Sequence, residues 1–131
     1  MREMFFVIGR GGAILWSDAG DSAGSIPDKR ERWEAIWSLR EEIEELSHSH
    51  PAGPLGFSHE DETTMEALCA ALGPRDGRPL VFSVVAPNGT VRRQNGADVR
   101  VELKDEPWWA NLLRRASGMS PREKEEEPWR S

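Results

Sequence analysis

Two histidines separated by one residue and followed by a Pro- and Gly-rich turn constrain this chain more than any other feature. The segment reads His48-Ser-His-Pro-Ala-Gly-Pro-Leu-Gly-Phe-Ser-His-Glu-Asp61. On a strand over residues 45–50, His48 and His50 would share a face while Ser49 points away. The turn would carry Asp61 back at the head of the next helix. Two imidazoles and one carboxylate leave a fourth tetrahedral position open, which is typical of a catalytic zinc site.

The order of these residues resembles the JAMM motif of the MPN-type zinc metallopeptidases. In that motif His-x-His-Pro is followed after six residues by Ser and after two more by Asp, and the chain matches it without a gap at His48, His50, Pro51, Ser58 and Asp61. The resemblance implies one zinc ion per chain, held by the two histidines and the aspartate. It also implies a small α/β domain of the cytidine-deaminase-like JAB/MPN fold, a mixed β-sheet flanked by helices with the metal at one sheet edge.

Two further residues have catalytic roles by this resemblance. Members of the family use a glutamate on an upstream strand to take the proton of the attacking water. Glu3, just ahead of an apolar strand, is the best candidate, although another glutamate or a member without a base stays open. Ser58 would donate a hydrogen bond to the tetrahedral oxyanion, a contribution of about 3 to 4 kcal/mol. A serine at this place is also expected to cap the following helix.

The implied activity is hydrolysis of an amide bond after the Gly-Gly tail of a ubiquitin-like or sulfur-carrier protein, as in a deubiquitinase-like isopeptidase. The protein substrate would enter through its flexible C-terminal tail, added as an edge strand. Two alternatives remain: a noncatalytic MPN-type protein-binding scaffold and a zinc hydrolase of a small amide.

Other zinc sites fit less well. His59-Glu60 is followed by Thr63 where a zincin has its second histidine, and a deaminase needs a cysteine pair that this chain lacks.

Length and charge agree with a small enzyme domain. A chain of 131 residues supports one core. Its net charge of −6 argues against nucleic acid or an anionic membrane as the partner. The lone Cys69 forms no internal disulfide, and no apolar run reaches membrane-span length. The N-terminus has no signal-peptide pattern, so the prediction is a cytoplasmic protein, with its oligomeric state open.

The hydrophobic pattern predicts the elements in order. An apolar strand at 4–8, a turn at 9–12 and a strand at 13–16 form a hairpin. A loop at 17–27 precedes a helix at 28–45, with Asp28 as the N-cap and a buried side of Trp33, Ile36, Trp37 and Ile43.

The second half of the chain is predicted in the same way. A helix at 61–72 buries Met65, Leu68, Cys69 and Leu72, and a central strand at 79–86 pairs through Asn88-Gly89 with a strand at 90–93. A strand at 98–103 follows, and a last helix at 107–116 is anchored by Trp108, Trp109, Leu112 and Leu113. The domain would span 1–118, and the charged segment 119–131 would be a disordered tail.

Overall fold

The apolar run that opens the chain forms an interior strand of a six-stranded sheet. The computed structural model describes residues 1–20, 30–73, 78–94 and 96–123. Within these ranges the strands are β1 (Met4–Gly9), β2 (Ile14–Ala19), β3 (Ile43–Ser49), β4 (Val81–Ala86), β5 (Gly89–Gln94) and β6 (Ala97–Val101). The helices are α1 (Arg30–Ser38), α2 (His59–Leu72) and α3 (Trp108–Ser117), with short 3-10 turns at Arg10–Gly12 and Leu103–Asp105.

The sheet is mixed and has the order β2-β1-β3-β4-β5-β6. Only β3 and β4 are parallel, and the other neighbours are antiparallel. Parallel neighbours need a long crossover, which α2 supplies. The described residues therefore form one small α/β domain, as the sequence predicts, and β4 is an interior strand as expected. No helix in the described ranges is long and apolar enough to cross a membrane.

Two apolar clusters lie on opposite faces of this sheet. On one face, Phe5 and Val7 of β1 pack with Met65 and Leu68 of α2 and with Ile36 of α1. On the other face, alternate residues of β1 pack against α3, namely Met4, Phe6 and Ile8 against Trp109, Ala110 and Leu113. Both faces of β1 are covered, which explains why its sequence is continuously apolar rather than alternating.

The long helix predicted at 28–45 is wrong in its second half. α1 ends at Ser38, and β3 begins at Ile43. Glu45 lies in β3 and pairs with Ile8 on one side and Val81 on the other. A strand between two partners gains ladder hydrogen bonds on both edges, and this tertiary gain overrides the helix propensity of the glutamates. The predicted N-cap Asp28 and most of the predicted loop lie outside the described residues, and residues 17–19 belong to β2.

Three predicted core residues are exposed. Trp37 is 53% exposed and Trp108 is 62% exposed, while Leu112 is 42% exposed. Cys69, predicted to be core, is exposed as well. The physical reason is that each helix packs on only one side: α2 buries Met65 and Leu68, and the residue after Leu68 lies about 100° further around the helix.

The remaining boundaries agree within a few residues. The hairpin of β1 and β2 turns at 9–12, and Asn88-Gly89 joins β4 to β5 as predicted. After α3, Met119 is buried and the backbone of Arg122 exchanges hydrogen bonds with Asn111 at 2.6 and 2.9 Å. The beginning of the segment predicted as a tail therefore contacts the domain, and residues 124–131 lie outside the described part of the chain.

Candidate metal centre

His48 and His50 come from the carboxyl end of β3. His48 pairs with Phe5 of β1, and the backbone N–H of His50 donates to the carbonyl of Val85 at 2.8 Å. Ser49 points to the opposite face, where its hydroxyl accepts hydrogen bonds from Met4 N at 2.8 Å and from the Ser117 hydroxyl at 2.6 Å. The predicted alternation is confirmed. Both neighbours of β3 are strands, so the site lies at the end of interior strands and not beside the edge strands β2 or β6.

Asp61 is held in place by the start of α2. Ser58 is the N-cap: its hydroxyl accepts from Asp61 N at 3.1 Å, and its own N–H donates to Asp61 Oδ2 at 2.7 Å. This capping box satisfies two backbone donors that a helix start leaves unpaired. The capping role predicted for Ser58 is confirmed. The capping box also fixes the position of the Asp61 carboxylate. The role of Ser58 as a donor to an oxyanion stays a prediction.

The two imidazoles and this carboxylate converge. His48 Nε2 and His50 Nε2 are 3.1 Å apart. Asp61 Oδ1 lies 3.1 Å from His48 Nε2, and Asp61 Oδ2 lies 3.3 Å from His50 Nε2. All three side chains are largely shielded from solvent. The residues that the sequence singled out as ligands therefore meet at one point, although they come from a strand and from a helix beyond a turn.

The second ring nitrogen of His50 is already occupied. Its Nδ1 lies 3.0 Å from the carbonyl oxygen of Pro54, which can only accept a hydrogen bond. Nδ1 therefore carries a proton, and in the neutral ring Nε2 keeps its lone pair directed towards Asp61 and His48. Orientation of a ligand histidine through its other nitrogen is common in metal sites. The sequence shows a Gly-Pro turn here, but it does not predict this contact.

Glu3 is the fourth member of the cluster. It directly precedes β1 and is 5% exposed, and its Oε1 lies 3.8 Å from His50 Nε2. Its backbone is anchored on both sides, because Gly20 N donates to its carbonyl at 2.9 Å and Arg2 N donates to Ser117 O at 3.0 Å. Glu3, His48 and His50 each offer one ligand atom within 4.8 Å of one another, so this buried cluster can hold a metal ion.

Charges in the cluster are strongly coupled. Burial raises the pKa of Glu3 from 4.5 to about 7, and the charge of Asp61 acts in the same direction. His50 and Arg32 oppose that rise only in part. Burial would also raise the pKa of Asp61, but hydrogen bonds with His48 and His50 outweigh it and hold that pKa well below its ordinary range. Asp61 is thus ionised, as a metal ligand must be.

His50 responds to the same neighbours. Burial of its ring opposes protonation, yet the hydrogen bonds with Asp61 and Pro54 and the charge of Glu3 raise its pKa above the usual 6.5. A metal ligand must release that proton. Protonation of His50 therefore competes with metal binding, which should become weaker at low pH.

The other glutamates that could serve as a base are engaged elsewhere or exposed. Glu45 binds Arg92 at 3.2 Å, and Glu62 binds Arg93 at 2.6 Å. Glu60 is exposed but does line the cavity at the centre. Glu3 is the buried carboxylate beside the ligand atoms within the described ranges.

A cavity of about 610 Å³ opens at the centre. Glu3, His48, His50, Ser58 and Asp61 all line it. Arg32 of α1 also lines it. No pattern in the sequence predicts this, because a single arginine on a polar helix resembles any solvated side chain. A comparison with protein-family models found no match, and a comparison with curated proteins found none either.

Proposed function

We propose that this protein is a zinc-dependent amide hydrolase of the JAMM type with a JAB/MPN-like fold. One observation carries the proposal: the side chains of His48, His50 and Asp61 converge on one point, and the buried Glu3 lies beside them at 3.8 Å from His50 Nε2. The five-position motif predicts the three ligands, and the family resemblance suggests Glu3. The geometry supports both predictions. A mixed sheet with α2 crossing between its two parallel strands is compatible with that fold.

The donor set fits zinc. Zinc bonds to nitrogen and oxygen of about 2.0 to 2.2 Å at tetrahedral angles put neighbouring donors about 3.3 to 3.5 Å apart. The three separations among His48 Nε2, His50 Nε2 and the Asp61 oxygens are 3.1, 3.1 and 3.3 Å. Glu3 is further away, so we assign ligation to Asp61 and leave Glu3 free for proton transfer. One zinc ion would then bind the ring nitrogens of His48 and His50 and the carboxylate of Asp61, all of which are largely shielded from solvent.

A zinc ion in this site would supply a Lewis acid that activates water near neutral pH and polarises the scissile carbonyl. Glu3 would accept a proton from the attacking water and deliver it to the nitrogen as the C–N bond breaks. The water oxygen and its second proton stay on the carboxylic acid product, which then releases that proton to solvent, and the amine leaves neutral. The Ser58 hydroxyl, which lines the same cavity, would donate to the developing oxyanion.

The substrate class follows from the resemblance. A flexible Gly-Gly tail could reach Glu3 and His50 in the cavity because glycine has no side chain to exclude. The short connections between elements leave little room for insertions that select one ubiquitin linkage. We therefore propose a standalone protease that acts on a ubiquitin-like or sulfur-carrier protein.

The test is cleavage of a ubiquitin-like fusion with a Gly-Gly linker by the purified protein. Cleavage should stop with a chelator and return with zinc. His48→Ala should lose both zinc and activity, whereas His59→Ala is the matched control because His59 is exposed and outside the cluster.

Glu3→Gln separates metal binding from chemistry. It should retain zinc and lose about 10²- to 10⁴-fold in rate. Zinc binding without cleavage of any fusion would favour the noncatalytic scaffold, and wild-type rates in Glu3→Gln would refute its role as the base.

A further inference from the structure

The cavity at the candidate metal centre continues into apolar space between α1 and α2. Its volume of about 610 Å³ lies within the range of about 300 to 1,000 Å³ of ligand sites. This is more space than a glycine tail and one water require. Apolar side chains from two strands and two helices form much of the wall, among them Phe5, Trp33, Ile36, Met65, Leu68 and Phe82.

The charge in this part of the wall is compensated. Arg32 Nη2 lies 2.8 Å from Asp18 Oδ2, and both side chains are largely buried. The guanidinium carbon of Arg32 also stands 5.2 Å from the centre of the Phe5 ring. The Asp18 carboxylate balances the charge of Arg32, while the buried Arg32 Nε makes no hydrogen bond within the described residues. The other side chains of this part of the wall are apolar. An apolar occupant suits such a wall better than a charged one.

The position of the apolar wall relative to Glu3 indicates which part of a substrate it faces. Glu3 and Phe5 are two residues apart at the start of β1 and so share a face, and Arg32 covers Phe5 on that side. Ser58 and Asp61 stand at the start of α2, and Met65 and Leu68 of the same helix also line the cavity. In amide hydrolysis the proton goes to the leaving nitrogen, so the leaving group lies on the side of Glu3.

We propose that this cavity binds an apolar side chain of the residue that supplies the leaving amine. The inference rests on the proposed hydrolase function and deepens it: the Gly-Gly tail is the acyl part of the substrate, and the residue after the scissile bond is apolar. Water adds to the glycine carbonyl, the C–N bond breaks, and the proton passes through Glu3 to the amine of that residue.

The test uses four ubiquitin-like fusions that differ only in the residue after Gly-Gly, which is Phe, Leu, Gly or Asp. Transfer of a Leu or Phe side chain out of water should raise kcat/KM by about 10- to 100-fold over the Gly fusion. The Asp fusion should be the poorest. Equal rates for all four would overturn the pocket and leave the hydrolase function intact.

Trp33 provides the matched pair of variants. Trp33 lines the cavity, whereas Trp37 on the same helix is 53% exposed and is absent from the lining. Trp33→Ala should abolish the preference for Phe over Gly, measured as the ratio of kcat/KM for the Phe fusion to kcat/KM for the Gly fusion. Trp37→Ala should keep the preference. Zinc content and melting temperature of both variants report whether the fold survives.

A binding measurement separates the pocket from the chemistry. Phenylalaninamide, which is the leaving amine of the Phe fusion without its chain, should shift the Trp33 indole N–H signal in NMR spectra and leave the Trp37 signal in place. Glycinamide should shift neither. If no fusion is cleaved, the hydrolase function fails, and this titration still decides the pocket: an unmoved Trp33 signal overturns it.

Discussion

Replacement of Glu3 by Gln should stabilise the metal-free protein at high pH. The pKa of Glu3 rises from 4.5 to about 7 on folding because of burial. At about 1.4 kcal/mol for each tenfold change, the ionised carboxylate costs at most about 3.5 kcal/mol in the folded state. Gln has the same shape without the charge. For 131 residues, about 1 kcal/mol corresponds to about 4 °C in melting temperature, so the limit is about 14 °C.

The sign of the pH dependence follows from proton binding. Below pH 4.5 the carboxyl is protonated in both states, and the two proteins should have similar stability. Between pH 4.5 and about 7 the unfolded chain releases the proton while the folded chain keeps it, so the wild type loses stability as the pH rises. Above about 7 the full difference is present.

The assay is thermal unfolding of chelator-treated wild type and Glu3→Gln from pH 4 to 8.5. Glu60→Gln is the control, because Glu60 lines the same cavity but is exposed, and it should stay within about 0.5 kcal/mol of the wild type. Parallel pH profiles for wild type and Glu3→Gln would refute the reasoning, since they would mean that Glu3 has the same pKa in the folded and unfolded states.

Three further predictions concern the metal, the core and the C-terminal segment. Asp61→Ala should lose zinc, measured by metal analysis, together with cleavage, and retention of full zinc would exclude Asp61 as a ligand. Arg114→Met should lower the free energy of unfolding in denaturant by about 3 to 5 kcal/mol, because the Glu106 side chain, which is 5% exposed, loses its 2.7 Å ion pair with Arg114 and keeps only the hydrogen bond from Thr90 and the more distant Arg122. Arg115→Met, which changes the exposed neighbouring residue, is the control and should lower the free energy of unfolding by less than about 1 kcal/mol. Deletion of residues 121–131 should lower the melting temperature more than deletion of 124–131, since only the first removes the hydrogen bonds of the Arg122 backbone; equal effects would show that these bonds contribute little.

The order of elements was largely predictable because it depends on local periodicity. The apolar run of β1, the Asn88-Gly89 turn and the helix start at Ser58 each have a signal within a few residues. The end of α1 has no such local signal. Residues 39–45 have helix propensity, and only pairing of Glu45 with Ile8 and Val81 makes the segment a strand.

The tertiary structure also determines which apolar residues of the helices are exposed. Trp37, Cys69 and Trp108 follow a plausible helical stripe, but α1, α2 and α3 each pack on one side only. A sequence pattern gives the direction of each side chain relative to its own helix. It does not give the width of the surface that the sheet covers.

The candidate metal centre likewise has some features that the sequence determines and others that depend on the tertiary structure. The sequence by itself determined the alternation that directs His48 and His50 to one face and the cap that fixes Asp61, because both depend on backbone geometry over a few residues. Only the tertiary structure decided that Glu3 lies beside them and that Arg32 closes the cavity wall. Those contacts join β1, β3 and α1 across long separations in sequence, and their geometry comes from strand order and packing rather than from any local pattern.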